Sequence, residues 1–194
     1  MNLAVFASGN GSNFSAIVKE IKQGKIKVKL LILVCDKPEA FVVKRALRHK
    51  IKVVLARRED FRSKTDFEAA IIQRLKTYKI DLIVLAGFMR LLSPTFVKQY
   101  RNRIMNIHPS LLPAFKGAHA IKDVFDNKAG STGVTVHFVD EKVDHGPVIL
   151  QGKIEIRSND TLVGLGKRIH ALEHKLYPQA IKLFVSGRIG AKAP

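Results

Sequence analysis

Short apolar runs alternate with amphipathic segments along the first half of the chain. Residues 3–7 (LAVFA), 28–35 (VKLLILVC), 51–56 (IKVVLA), 80–86 (IDLIVLA) and 103–108 (RIMNIH) read as strands. Of these, 3–7 and 80–86 read as strands buried on both faces. Helical patterns fall between them: from about Ser12 to Gly24, over about 40–49, and in a segment that Thr65-x-x-Glu68 opens as a capping box. In that third segment Phe67, Ile71, Leu75 and Tyr78 keep helical spacing, and Lys76 and Lys79 suit the negative end of the dipole. Strands alternating with helices predict an α/β fold, a doubly wound and mostly parallel sheet that is Rossmann-like in its N-terminal half.

The later part reads differently. Residues 131–140 (STGVTVHFVD) and 147–156 (PVILQGKIEI) are two strands joined by a short acidic loop, expected to pair antiparallel. Asp160 or Thr161 opens a long C-terminal helix whose apolar stripe is Leu162, Leu165, Ile169, Leu172 and Leu176. Pro178 is expected to kink or restart it, and Lys192 to Pro194 to fray. With no internal repeat, low-complexity tract or long linker, the chain reads as a single domain over 1–194, in two halves, 1–100 and 101–194.

A length of 194 residues supports a full core, and a make-up of 46% hydrophobic and 26% charged residues excludes general disorder. The lone Cys35 excludes an internal disulfide framework and a Cys-rich zinc site. No apolar run approaches the roughly 18–20 residues of a membrane span. The opening MNLAVFASGNGSN has no basic leader, so neither a membrane nor a secretory route is expected, and the cytoplasm is.

Charge changes the picture more. Lys and Arg number 34 against 16 Asp and Glu, a formal +18, which invites nucleic acid or anionic substrates. The excess is spread: 20 basic and 8 acidic residues in 1–100, then 14 and 8, with no basic tail. There is no Trp and only three Tyr, too few aromatics for stacking on bases, so no nucleic-acid partner is expected. A solvated Lys-rich surface explains most of this charge.

In open α/β sheets ligands sit beyond the carboxyl ends of the strands, and polar residues gather there. The first strand runs into Ser8-Gly9-Asn10-Gly11-Ser12-Asn13, the composition of a phosphate cradle at a helix N-terminus. A plain tight turn and a dinucleotide site also fit; Phe14 in place of a third glycine and a late Asp36 weaken the last. The fourth strand runs into Gly87-Phe88-Met89-Arg90, the fifth into Asn106-Ile107-His108-Pro109, and the next leads to Asp140, Glu141 and Asp144. Asn106 and His108, two apart on a strand, leave the same face, so an amide and an imidazole can hold one oxygen. A carboxylate such as Asp144 beside His108 would orient it. The plainer reading stands beside it: Asn106 caps a loop, His108 packs and Asp144 fills a turn. His170-x-x-Glu173-His174 matches a zinc-binding string, but a third ligand is missing, and no metal is expected. His137 reads as structural.

Taken together, AVFASGNGSNF, LAGFMRLLSP, NIHPSLLPAFKGAHA, GVTVHFVDEKVDHGPVILQ and EHKLYP resemble the phosphoribosylglycinamide formyltransferases, a branch of the folate-dependent formyltransferase family. The resemblance implies the formyltransferase fold and transfer of a formyl group from 10-formyltetrahydrofolate to glycinamide ribonucleotide, in purine biosynthesis, by a monomer or homodimer. It implies catalytic roles for Asn106, His108 and Asp144, and ribonucleotide binding by Gly11, Ser12, Asn13 and Glu173, with His170 nearby. It places the reduced folate against Phe88, Met89, Arg90, Leu91, Leu92, Val97, Val139, Asp140 and Glu141. On this reading the 1–100 half binds the ribonucleotide phosphate, and the 101–194 half holds the chemistry and the folate. Two departures stand out: Lys116 where proline is expected, which would loosen its loop, and His145 beside Asp144, which would perturb that carboxylate. Two relatives in the wider family remain as alternatives: a formyltetrahydrofolate hydrolase and a methionyl-tRNA formyltransferase. They normally carry an extra N-terminal or C-terminal domain, and neither is expected here.

Overall fold

The computed structural model describes residues 1–189, and the fraying expected over Lys192–Pro194 lies outside them. The order is β1 (Asn2–Phe6), α1 (Ser12–Lys22), β2 (Lys29–Cys35), α2 (Phe41–Arg48), β3 (Lys52–Leu55), α3 (Lys64–Thr77) and β4 (Leu82–Leu85). There follow α4 (Pro94–Gln99), β5 (Ile104–His108), α5 (Ala120–Asp126), β6 (Ser131–Phe138), β7 (Val148–Glu155) and α6 (Leu162–Val185). The seven strands form one sheet in the order β3-β2-β1-β4-β5-β6-β7. The first five are parallel, as the apolar runs predict. β6 and β7 pair antiparallel as expected, and β6 also runs antiparallel to β5.

Each face of the sheet buries its own core. Leu3, Val5, Val134 and Val136 pack against Phe14 and Ile17 of α1 and Ile169 and Tyr177 of α6. Ala4, Phe6 and Ile83 pack on the other side against Ile71 and Leu75 of α3 and Phe96 of α4. Tyr177 is fully buried, and its hydroxyl lies 2.8 Å from the Leu85 carbonyl and 3.0 Å from that of Met105. It thereby fastens α6 to the ends of β4 and β5. β1 and β4 are neighbours although their following helices lie on opposite faces, and this switch opens a crevice at their carboxyl ends.

Three sequence expectations are corrected. Ser63, not Thr65, caps α3, accepting from the Asp66 N–H at 3.0 Å. Glu68 is instead buried and accepts from the Ser93 N–H at 2.8 Å and from its hydroxyl, a partnership across elements that the local capping box does not offer. α6 does not restart at Pro178, because Tyr177, Ala180 and Ile181 are buried on either side and carry it past the lost hydrogen bond. Leu162 opens that helix 38% exposed, off the buried stripe. α4 and α5 have six and seven residues, too few for helical periodicity to register.

Candidate active site

A cleft of about 800 Å³ runs along the crevice. Its lining includes Gly11, Ser12, Asn13, Phe88, Met89, Arg90, Leu91, Leu92, Asn106, His108, Val139, Asp140, Glu141, Asp144, His170 and Glu173, all singled out from sequence. Val97 is the exception. It is 2% exposed in the core behind the wall, because α4 turns it inward, so it supports the cleft without lining it. Both halves of the chain contribute to both ends of the cleft.

At one end the backbone does the work. Gly11 precedes α1 in the left-handed region, at φ 77°, and no side chain caps the helix. The first N–H groups of α1 and its positive dipole end are therefore open to the cleft. The Ser8 N–H donates to the Gly87 carbonyl at 2.9 Å, and the Ser8 hydroxyl accepts from the Met89 N–H at 3.0 Å. These bonds lock the loops after β1 and β4 together. Asn13 donates to Glu173 Oε2 at 2.9 Å, and His170 Nδ1 meets the same oxygen at 2.9 Å. The hydrogen bond to Glu173 raises the His170 pKa above its ordinary value, against the opposing effect of burial.

At the centre the side chains do the work. Leu85, Asn106 and His137 stand level across β4, β5 and β6, and β5 runs two residues further to His108. Asp144 Oδ2 lies 3.3 Å from His108 Nδ1, and its Oδ1 lies 3.4 Å from Asn106 Nδ2. His108 Nε2 donates to the Phe115 carbonyl at 2.7 Å. Nε2 is thus engaged by a carbonyl, and Nδ1 faces the Asp144 carboxylate. Asp144 is held in the left-handed region, at φ 46°, and accepts from the Gly117 N–H at 2.9 Å. Burial pushes its carboxyl up, but the Gly117 N–H and the charge of His108 outweigh this. Asp144 therefore stays below the usual carboxylate range.

The sequence reading missed how Asp144 gets there. Because β6 is antiparallel to β5, its last residue lies beside Met105, so the loop after it must fold back across the face. The Phe138 N–H donates to the Pro147 carbonyl at 2.9 Å and pinches that loop, and Gly146 leaves no space for a Cβ beside the Phe138 carbonyl. It also missed His137. Its Nδ1 donates to the Phe138 carbonyl at 2.8 Å, leaving Nε2 to accept from Asn106 Nδ2 at 3.2 Å. His137 thus orients the amide, and pairing β5 with β6 in register is the signal that would have found it.

One of the two departures resolves differently from expectation. His145 Nδ1 meets Asp140 Oδ2 at 2.6 Å rather than reaching Asp144. The other Asp140 oxygen accepts from the Lys142 N–H at 3.0 Å, so this carboxylate shapes the loop. On either side of Lys116 the Phe115 carbonyl and the Gly117 N–H are both hydrogen-bonded, to His108 and to Asp144. Arg90 Nε donates to the buried Asp36 at 2.6 Å, leaving the rest of the guanidinium for the cleft. His170, Glu173 and His174 form no metal-holding group among the described residues.

Residues 1–181 match the formyl transferase family. The chain is 48% identical over 179 residues to a phosphoribosylglycinamide formyltransferase of Bacillus subtilis, covering 92% of each. It is 39% identical to the Escherichia coli protein of the same name, covering 97% of this chain and 89% of that one. A crystal structure of phosphoribosylglycinamide formyltransferase from Bacillus halodurans superposes with a TM-score of 0.94 at 43% identity, covering 97% of both chains.

Proposed function

The chain belongs to the formyl transferase family, and we propose that it transfers the formyl group of 10-formyltetrahydrofolate to the glycine amine of N1-(5-phosphoribosyl)glycinamide. The products are the formylglycinamide ribonucleotide and tetrahydrofolate, a step of de novo purine biosynthesis. The observation that carries this reading is the convergence of Asn106, His108 and Asp144 between two ends of one cleft. One end is suited to a phosphate, the other to a flat, partly apolar ligand.

The ribonucleotide phosphate sits on the N–H groups of Gly11, Ser12 and Asn13, with Glu173 and His170 beside the remainder of the substrate. The reduced folate lies against Phe88 to Leu92 and Val139 to Glu141. The amine nitrogen attacks the formyl carbon, a C–N bond forms, and the carbonyl oxygen gains negative charge. An Asn106 N–H and protonated His108 hydrogen-bond that oxygen, so the N–H now held by the Phe115 carbonyl turns to the substrate. Asp144 keeps His108 charged and takes part in moving the amine proton. The bond from the formyl carbon to the folate nitrogen then breaks, and that nitrogen receives a proton. Cytoplasmic operation belongs to the same proposal. No helix among the described residues is long and apolar enough to cross a membrane.

The test is to mix protein with 10-formyltetrahydrofolate and then add glycinamide ribonucleotide. Folate turnover that begins only with the ribonucleotide supports the proposal. Turnover without it indicates hydrolysis, and no turnover in either case rejects the assignment.

A further inference from the structure

We infer that Arg45, outside the cleft lining, is a positioning residue that aims the substrate-phosphate loop; the inference rests on the phosphate assignment above. Arg45 sits on α2 and grips the turn between β1 and α1 with one guanidinium. Nε donates to the Asn10 carbonyl at 2.9 Å, Nη2 to Asn10 Oδ1 at 2.9 Å, and Nη1 to Ser15 Oγ at 3.0 Å. The three acceptors bracket Gly11, Ser12 and Asn13. The guanidinium carbon lies 4.8 Å from the centre of the Phe41 ring, which limits its freedom.

The peptide plane gives the grip its purpose. In a trans peptide the carbonyl and the following N–H point in opposite directions. Pinning the Asn10 carbonyl toward α2 therefore points the Gly11 N–H away from α2. That N–H has no acceptor among the described residues. α2 fastens the turn twice more: the Val42 N–H donates to the Gly9 carbonyl at 3.1 Å, and Val42 fills the space a Gly11 side chain would need. A lysine at 45 keeps the charge but supplies a point donor instead of a fork, and cannot hold carbonyl, amide and hydroxyl together.

The test compares Arg45→Lys and Arg45→Ala with the parent. Both variants are expected to raise KM for the ribonucleotide by about tenfold or more, the scale of losing charge-assisted hydrogen bonds. The folate KM and kcat should change by less than about threefold, well below that scale. Millimolar guanidinium should restore part of the loss in Arg45→Ala and none in Arg45→Lys. Titration calorimetry with ribose 5-phosphate gives a second readout that does not depend on turnover; both variants should bind it more weakly than the parent. If the parent binds this phosphate but turns over no folate, the function above fails while the Arg45 comparison still stands. Unchanged ribonucleotide KM and unchanged phosphate affinity would overturn the inference, as would Arg45→Lys behaving like the parent. Should Arg45→Ala not fold, Asn10→Ala removes one of the three bonds. A smaller rise in ribonucleotide KM supports the inference, and no rise contradicts it.

Discussion

One end of the cleft and its centre are built from different material. The turn at Gly11 to Asn13 offers backbone N–H groups, and six consecutive residues create it. The centre at Asn106, His108 and Asp144 offers side chains from β5 and from a loop that returns across the sheet face. Backbone geometry depends on conformation, so the first end is sensitive to added bulk and indifferent to most side-chain chemistry. The second depends on particular functional groups and tolerates little change in them. A change at the first should therefore weaken binding, and a change at the second should slow the chemistry.

The largest expected effect comes from the centre. Asn106→Ala and His108→Ala each remove one donor to the developing oxyanion, so kcat should fall roughly 100-fold or more. The fold should survive, since both side chains line the cleft. Steady-state kinetics beside a thermal melt checks this, and folded variants with near-parental turnover would break the contrast.

Gly11→Ala probes the turn. The new Cβ would lie 2.4 Å from Val42 Cγ2, and the residue would have to keep its positive φ. The left-handed conformation alone costs a non-glycine residue about 1–2 kcal/mol. Tm should fall by roughly 2–8 °C for a chain of this size, and ribonucleotide KM should rise more than kcat falls. A larger loss in kcat than in binding would erase the distinction between this end and the centre.

The smallest effect is at His170. Its pKa is raised in the folded state, so its pairing with Glu173 adds stability below the unfolded histidine value, about 6.5. That stability is lost as pH rises through the raised value. The ring is half exposed, so the effect is small. His170→Ala should melt below the parent near pH 6, and the gap should shrink toward pH 9. A gap that does not change with pH would contradict the pairing.

Local signals made most of the fold legible. Residues 3–7 and 80–86 announce buried strands, and the alternation with helices announces a parallel, doubly wound sheet. What was illegible depends on partners far away in sequence. Glu68 leaves its own capping box for Ser93, and no periodicity in α3 reports that. Asn106 and His108 were legible because spacing on one strand decides a shared face. His137 was not, because its role follows from the antiparallel register that sets it opposite Asn106. His145 was read by its neighbour in sequence, Asp144, whereas loop geometry gave it Asp140.

The most direct measurement on the centre is the pH dependence of kcat for Asp144→Asn, with KM for both substrates determined alongside. The substitution keeps the shape and removes the charge facing His108. The account predicts a drop in kcat of about 100-fold, the scale of losing one aligned electrostatic partner, with both KM values changing far less. Because Asp144 is held below the usual carboxylate range, the parent should keep its charge into mild acid, and the variant's profile should differ from the parent's. A near-parental kcat, or a pH profile that superimposes on the parent's, would contradict the account.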